Sequence, residues 1–105
     1  TALHDAANHG HAEIIEILIN TGAYITAKTQ DGFTVLHLAA QKGHLSAVQT
    51  LLSKGANISA ERNDRFTPLH DAAYNGHAEI IKMLITAGAN MEAKTRKGFT
   101  PLHFA

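Results

Sequence analysis

Apolar residues recur with the period of a helix in three stretches of the chain. In the first stretch, Ile14, Ile15, Leu18 and Ile19 share one face, because residues three or four positions apart are neighbours on a helix. The same arrangement returns 33 and 66 residues later, at Ala47, Val48, Leu51 and Leu52 and at Ile80, Ile81, Leu84 and Ile85. Each stretch ends at a Gly-Ala pair, which suits a helix terminus. The pattern predicts three amphipathic helices of similar length.

A shorter helix is predicted ahead of each amphipathic one. It follows a threonine (Thr1, Thr34 or Thr67), whose hydroxyl can accept a hydrogen bond from a free amide of the first helical turn. It ends near a glycine, the residue best suited to the left-handed conformation that closes many helices. The remainder of each unit is polar and rich in turn residues, so it predicts an extended loop.

The chain divides into three units, 1–33, 34–66 and 67–99, followed by the start of a fourth at 100–105. Units one and three are identical at 21 of 33 positions, units one and two at 14, and units two and three at 13. A fixed period of this size is typical of stacked units that cannot bury their apolar faces alone. We expect a single domain over 1–105. Because the chain opens inside one motif and stops inside another, we expect a fragment of a longer array.

The most repeated motif is Thr67-Pro68-Leu69-His70-Asp71-Ala72-Ala73, which has counterparts that begin at Thr1, Thr34 and Thr100. With the Gly-His pairs and the helices that end in Gly-Ala, this motif resembles the ankyrin repeat over the whole chain. The resemblance implies an all-α fold, an ankyrin-repeat solenoid of stacked antiparallel helix pairs with projecting β-hairpin loops. Arg65 stands where the family has a hairpin glycine, so we expect a non-glycine residue with positive φ there.

Composition and charge exclude several classes of protein. The formal net charge is zero, so no global attraction draws the chain to nucleic acid or to an anionic membrane. The absence of cysteine rules out disulfides and thiolate metal sites. No apolar run reaches the roughly 18–20 residues of a membrane span, and no signal-peptide pattern is present. We expect an intracellular, cytoplasmic protein without membrane insertion.

Eight histidines could suggest catalysis or metal binding, but seven of them recur with the repeat. The recurring ones are His4, His37, His70 and His103, three residues after a threonine, and His11, His44 and His77, directly after a glycine. We interpret these seven as structural. His9 is off the pattern and has no second free ligand beside it, so no zinc site is expected. With no Gly-x-Ser-x-Gly turn either, the sequence predicts no enzyme, no metal and no cofactor.

Binding is the remaining function. The resemblance implies that it lies on one concave face, made of the hairpin tips and the exposed side of the first helices. The first-helix positions are Asp5, Asn8, His9, Gln41, Lys42, Asp71, Tyr74 and Asn75. The hairpin positions are Lys28, Gln30, Asp31, Phe33, Glu61, Asn63, Asp64, Phe66, Lys94, Arg96, Lys97 and Phe99. We predict that these residues bind a protein partner; the alternative is a structural spacer without a ligand of its own.

Two patterns within this set favour binding, and each has a simpler explanation. Phe33, Phe66 and Phe99 share one register position, so they could anchor a partner, or each ring could only cover its own hairpin and the next helix start. Net charge is −3 in unit one, +2 in unit two and +1 in unit three. The cations that gather at the later hairpins are Arg62, Arg65, Lys94, Arg96 and Lys97. They could meet an acidic protein segment or form an ordinary solvated surface, whereas nucleic acid would need a more strongly basic face.

Overall fold

Pairs of helices separated by loops make up the computed structural model, which describes residues 1–104. Each unit contributes two helices: α1 (Ala2–Asn8) and α2 (Ala12–Asn20), α3 (Val35–Lys42) and α4 (Leu45–Ser53), α5 (Pro68–Tyr74) and α6 (Ala78–Thr86). A short 3-10 helix, Pro101–Phe104, follows. The first helices pack against one another in one row and the second helices in another, and no strand is assigned within residues 1–104. This architecture confirms the predicted all-α solenoid of stacked helix pairs.

Threonine and histidine together begin the first helices, as the sequence predicts. Thr34 Oγ1 accepts a hydrogen bond from the His37 backbone N–H, and the Thr34 N–H donates to His37 Nδ1 at 3.1 Å. Thr67 and His70 repeat this reciprocal capping. His37 Nε2 lies 2.8 Å from the Phe66 carbonyl oxygen, so Nε2 carries the proton and Nδ1 is left as the acceptor. These contacts confirm the structural role of both histidines.

Two of the histidines that follow glycine, His44 and His77, join neighbouring units. His44 Nε2 donates to the Asn8 carbonyl at 2.9 Å, one unit back along the stack. Its ring lies directly against Gly10, where a Cβ would approach His44 Nδ1 to 2.6 Å. His77 repeats the contact at Gly43. Glycine is therefore required at both positions by close approach as well as by positive φ.

Burial along the second helices differs between units. Ala47 and Ile80 are buried between units, whereas Ile14, at the same register, is 47% exposed. In the third unit, Leu69, Ala73, Ile81, Ile85 and Met91 contribute to an apolar cleft of about 580 Å³. Within residues 1–104, no helix has the length and apolar character to cross a membrane.

Candidate functional site

The first and third hairpins close with the same bonds. The Thr29 N–H donates to the Phe33 carbonyl at 2.9 Å, and Thr29 Oγ1 accepts from the Phe33 N–H at 3.1 Å. Thr95 and Phe99 repeat these two bonds at 2.9 and 3.2 Å. The threonine side chain is therefore part of the turn in both hairpins.

The second hairpin has the same backbone closure but different side chains. Arg62 replaces the threonine, and its N–H still donates to the Phe66 carbonyl at 2.8 Å. Asp64 Oδ1 takes over the threonine's role and accepts from the Phe66 N–H at 3.2 Å. Arg65 has φ 67°, and no other non-glycine residue in 1–104 has a positive φ. The expectation of a non-glycine residue with positive φ at this position is confirmed.

Hydrogen bonds between successive hairpins hold the tips in one row. The Asn63 N–H donates to the Asp31 carbonyl at 3.1 Å, and the Arg96 N–H donates to the Asp64 carbonyl at 2.9 Å. Side chains add to this: Arg96 Nη2 donates to the Asn63 carbonyl at 2.7 Å. Lys28 Nζ likewise donates to the next hairpin, at the Glu61 carbonyl, 3.1 Å away. A row fixed in this way presents its tip side chains from a rigid base.

The Arg62 side chain turns away from solvent and lies between two aromatic rings. Its guanidinium carbon is 4.2 Å from the centre of the Phe33 ring and 4.3 Å from that of Phe66, a cation–π sandwich. Nη1 donates to Asp71 Oδ1 at 2.7 Å, and Nη2 and Nε donate to the Asp64 carboxylate. The side chain is only 14% exposed. Arg62 thus differs from its expected place in an exposed basic patch, because two carboxylates and two rings enclose it.

Asp71 also differs from the prediction that it contacts a partner, because it is 2% exposed. Asp71 Oδ1 accepts a hydrogen bond from Arg62, whereas Asp71 Oδ2 has no hydrogen-bond partner among residues 1–104. Burial raises the pKa of Asp71 to about 7, since Arg62 offsets only part of the desolvation and the Asp64 charge adds to the rise. This carboxyl therefore titrates near neutral pH.

The other shifted groups in this region surround the same arginine. Partial burial acts to raise the pKa of Asp64, but hydrogen bonds from Arg62 and from the Phe66 N–H outweigh it, and the pKa is lowered. Burial lowers the pKa of His37 to about 4, although its bond to the Phe66 carbonyl acts in the opposite direction. Burial also lowers the pKa of His70. Both rings are therefore neutral at physiological pH.

The predicted binding residues differ in exposure. Exposed ones are Asp5, His9, Lys28, Gln30, Asp31, Lys42, Glu61, Asn63, Tyr74, Asn75, Lys94, Arg96, Lys97 and Phe99. Half-buried ones are Asn8, Phe33, Gln41, Asp64 and Phe66, and Asp71 is buried. The hairpin bonds bring the tip residues together, but Lys94 points elsewhere: it lines the apolar cleft at the open end, beside Met91 and Glu92.

An aromatic cluster forms around the 3-10 helix. The Phe104 ring centre lies 5.3 Å from that of Tyr74, 5.5 Å from Phe66 and 5.8 Å from Phe99. Tyr74 is 65% exposed and Phe99 43%. Phe104 is not among the predicted binding residues, although it shares its register position with Asp5 and Asp71, which are. This shared register is the sequence signal that points to Phe104.

Comparison with known families agrees with the geometry. A family profile described as ankyrin repeats (3 copies) matches residues 1–62, and a second, ankyrin repeats (many copies), matches residues 51–105. No curated protein matches the chain. The two matches cover the capped first helices, the glycine–histidine contacts and the stacked hairpins described above. On this combined ground, the chain belongs to the ankyrin-repeat family.

Proposed function

We propose that the chain binds a protein partner through its row of hairpin tips and the exposed residues of its first helices. Ankyrin repeats are in general protein–protein interaction modules. The observation that carries the proposal for this chain is the aromatic cluster of Tyr74, Phe99 and Phe104, in which the rings of Tyr74 and Phe99 are exposed. Large rigid aromatic side chains are the commonest energetic anchors of protein interfaces, because they bury much area at little entropic loss.

The packing of the other two phenylalanines narrows which rings are available as anchors. Phe33 and Phe66 each lie against Arg62, and each also contacts the histidine of the following helix, with ring centres 6.1 and 5.5 Å apart. Removing either ring would disturb the fold as well as the surface. Phe99 also contacts a histidine, His103, with ring centres 5.7 Å apart, but it is exposed and does not lie against Arg62. Tyr74 and Phe99 are therefore the better positions at which to test binding.

The test compares three versions of the chain as bait. Immobilised wild type, the double variant Tyr74→Ala/Phe99→Ala and the control Tyr24→Ala are each incubated with cell extract, and captured proteins are quantified by mass spectrometry. Tyr24 is 80% exposed and belongs to no predicted binding position, so it controls for the general stickiness of an exposed ring. Circular dichroism confirms that all three fold.

We expect wild type and Tyr24→Ala to capture the same proteins. The double variant should lose them by about tenfold or more, as the removal of two anchors implies. Equal capture by all three versions would exclude the proposed surface. Specific capture by none would favour the alternative of a structural spacer.

A further inference from the structure

Three cations gather on the third hairpin without a carboxylate partner in the described part of the chain. The first hairpin has a single cation, Lys28, whose Nζ donates to the Glu61 carbonyl oxygen. In the second hairpin Arg65 lies 4.0 Å from Glu61, and Arg62 is enclosed by Asp64 and Asp71. The cations of the third hairpin are Lys94, Arg96 and Lys97, and none of them pairs with a carboxylate within residues 1–104. The basic patch is therefore narrower than the sequence suggested.

The same hairpin adjoins the exposed aromatic rings. Phe99 comes two residues after Lys97 and contacts Phe104, which in turn contacts Tyr74. Arg96 is oriented in advance, because one of its nitrogens donates to the Asn63 carbonyl at 2.7 Å. A guanidinium has five N–H donors, so most of them remain for another acceptor. The oriented Arg96, the neighbouring Lys97 and the exposed rings of Tyr74 and Phe99 thus belong to one continuous surface.

We propose that the partner is an acidic protein segment that carries a bulky apolar side chain. Its carboxylates bind Arg96 and Lys97, and its apolar side chain packs on Tyr74, Phe99 and Phe104. This inference rests on the proposed function, and it adds the chemical class of the partner and the residues that it binds. Charge complementarity at the third hairpin orients the segment, and the aromatic contact supplies most of the affinity.

A phosphate polymer or an anionic membrane fits this surface less well. The basic end is one hairpin wide, and the neighbouring tips carry Asp31 beside Lys28 and Glu61 beside Arg65, so they add no net positive charge for a long polyanion. The chain as a whole has zero net charge. A short acidic segment can meet the third hairpin without crossing those carboxylates.

The test begins with selection of peptides from a displayed random library against the 105-residue chain. The enriched peptides are sequenced, and the best one is labelled for fluorescence anisotropy. Its affinity is measured for wild type and for two charge reversals, Lys97→Glu and Lys82→Glu. Both substitutions change the net charge equally, but Lys82 lies exposed on α6 and belongs to no hairpin. The pair separates a local contact from a general effect of charge.

We expect enrichment of peptides that combine Asp or Glu with Phe, Leu, Trp or Tyr. Lys97→Glu should weaken binding about tenfold and reduce its dependence on salt, whereas Lys82→Glu should change it by less than about twofold. Tyr74→Ala should weaken binding without altering the salt dependence.

Four other outcomes would overturn the inference, and one of them also contradicts the proposed function. Enriched peptides without an acidic bias, or equal affinities for the two charge reversals, overturn the inference and leave the proposed function standing. A labelled oligonucleotide or anionic vesicles that bind in a Lys97-dependent way, while acidic peptides do not, also overturn it. No enrichment above an empty-matrix control contradicts both.

Discussion

Replacing Arg62 with threonine, the residue at the same position in the other two hairpins, tests how the second hairpin is built. The variant Arg62→Thr restores the side chain that closes the first and third hairpins at Thr29 and Thr95. It also removes the cation from between two rings and from a buried carboxylate. The decrease in unfolding free energy therefore depends on whether Asp71 is charged, and so it depends on pH.

Near pH 6 we expect the loss to be modest. Since burial raises the pKa of Asp71 to about 7, this carboxyl is mostly protonated in the folded wild type and in the variant at that pH. What Arg62→Thr removes is then the cation–π sandwich, about 1–2 kcal/mol for a largely desolvated guanidinium, and the bonds to Asp64. The new threonine hydroxyl offsets little of this loss, because Asp64 Oδ1 already accepts from the Phe66 N–H. The expected decrease in unfolding free energy is about 1–2 kcal/mol.

Above neutral pH the loss should grow. A raised folded pKa means that stability from Asp71 is present at low pH and is lost as pH rises through the folded pKa. In wild type this decline stops near pH 7, because Asp71 then ionises against Arg62. In the variant the buried Asp71 carboxyl has no such partner, so its pKa is higher and the unfolding free energy keeps falling above pH 7. Each pH unit above 7 adds about 1.4 kcal/mol to the difference between variant and wild type, or about 2 kcal/mol by pH 8.5.

Urea unfolding monitored by circular dichroism measures these differences at about pH 6 and about pH 8.5, within the linear extrapolation. The control is the same substitution in an Asp71→Asn background, where the residue at position 71 cannot ionise. There Arg62→Thr should lower the unfolding free energy equally at both pH values. A pH-independent loss in the aspartate background, or a pH-dependent loss in the asparagine background, would refute the reasoning.

Three further predictions follow from the backbone and the histidines. Arg65→Gly should raise the unfolding free energy by about 0.5–1 kcal/mol, because φ is 67° and the exposed contact with Glu61 adds little. The control Gly98→Ala, whose Cβ would meet nothing within 4 Å, should lower the unfolding free energy by about 1 kcal/mol. A loss of stability in Arg65→Gly would contradict the backbone strain at this residue. In urea unfolding, Gly43→Ala should lower the unfolding free energy by about 1–3 kcal/mol more than Gly76→Ala does. Both glycines have a similar positive φ, but only the Cβ at position 43 would lie 2.6 Å from the His77 ring. Equal decreases for the two variants would exclude a packing role for Gly43. Burial lowers the pKa of His37 to about 4, so stability should be lost as pH falls from about 6.5 towards 4. Wild type masks much of that loss because Asp71 has the opposite sign, but Asp71→Asn should lose about 2 kcal/mol of unfolding free energy between about pH 7.5 and 5, and His37→Gln in that background should remove most of it. A flat profile in Asp71→Asn would contradict the assignment.

The repeated features of the fold could be predicted from the sequence because each rests on local chemistry. Threonine caps a helix through its own hydroxyl, and glycine permits a positive φ wherever it occurs. The helical pairs, their order and the structural role of His37 and His70 therefore follow from the residues alone. The period adds the stacking, because units with the same apolar pattern have apolar faces that are buried against neighbouring units.

The interior of the candidate site could not be predicted in the same way. Charge places Arg62 and Asp71 among the exposed residues, and their counterparts in the first unit, Thr29 and Asp5, are exposed. Whether a cation turns towards solvent or towards a carboxylate depends on a contact between residues nine positions apart in two different elements. No periodic pattern encodes that contact, because it occurs in one unit only.

The departures in the second hairpin are nevertheless connected with one another. A hairpin that loses its threonine leaves the N–H of the following phenylalanine without its side-chain acceptor, and Asp64 supplies one. The arginine that replaces the threonine brings a charge that must be paired when it lies between rings, and Asp64 and Asp71 pair it. Each substitution would be unfavourable alone, and together they form a hydrogen-bonded, desolvated cluster in the middle of the hairpin row. That cluster neutralises Arg62, so the cations of the second hairpin are paired with carboxylates, whereas Arg96 and Lys97 of the third hairpin, beside the exposed rings of Tyr74 and Phe99, are not paired within residues 1–104.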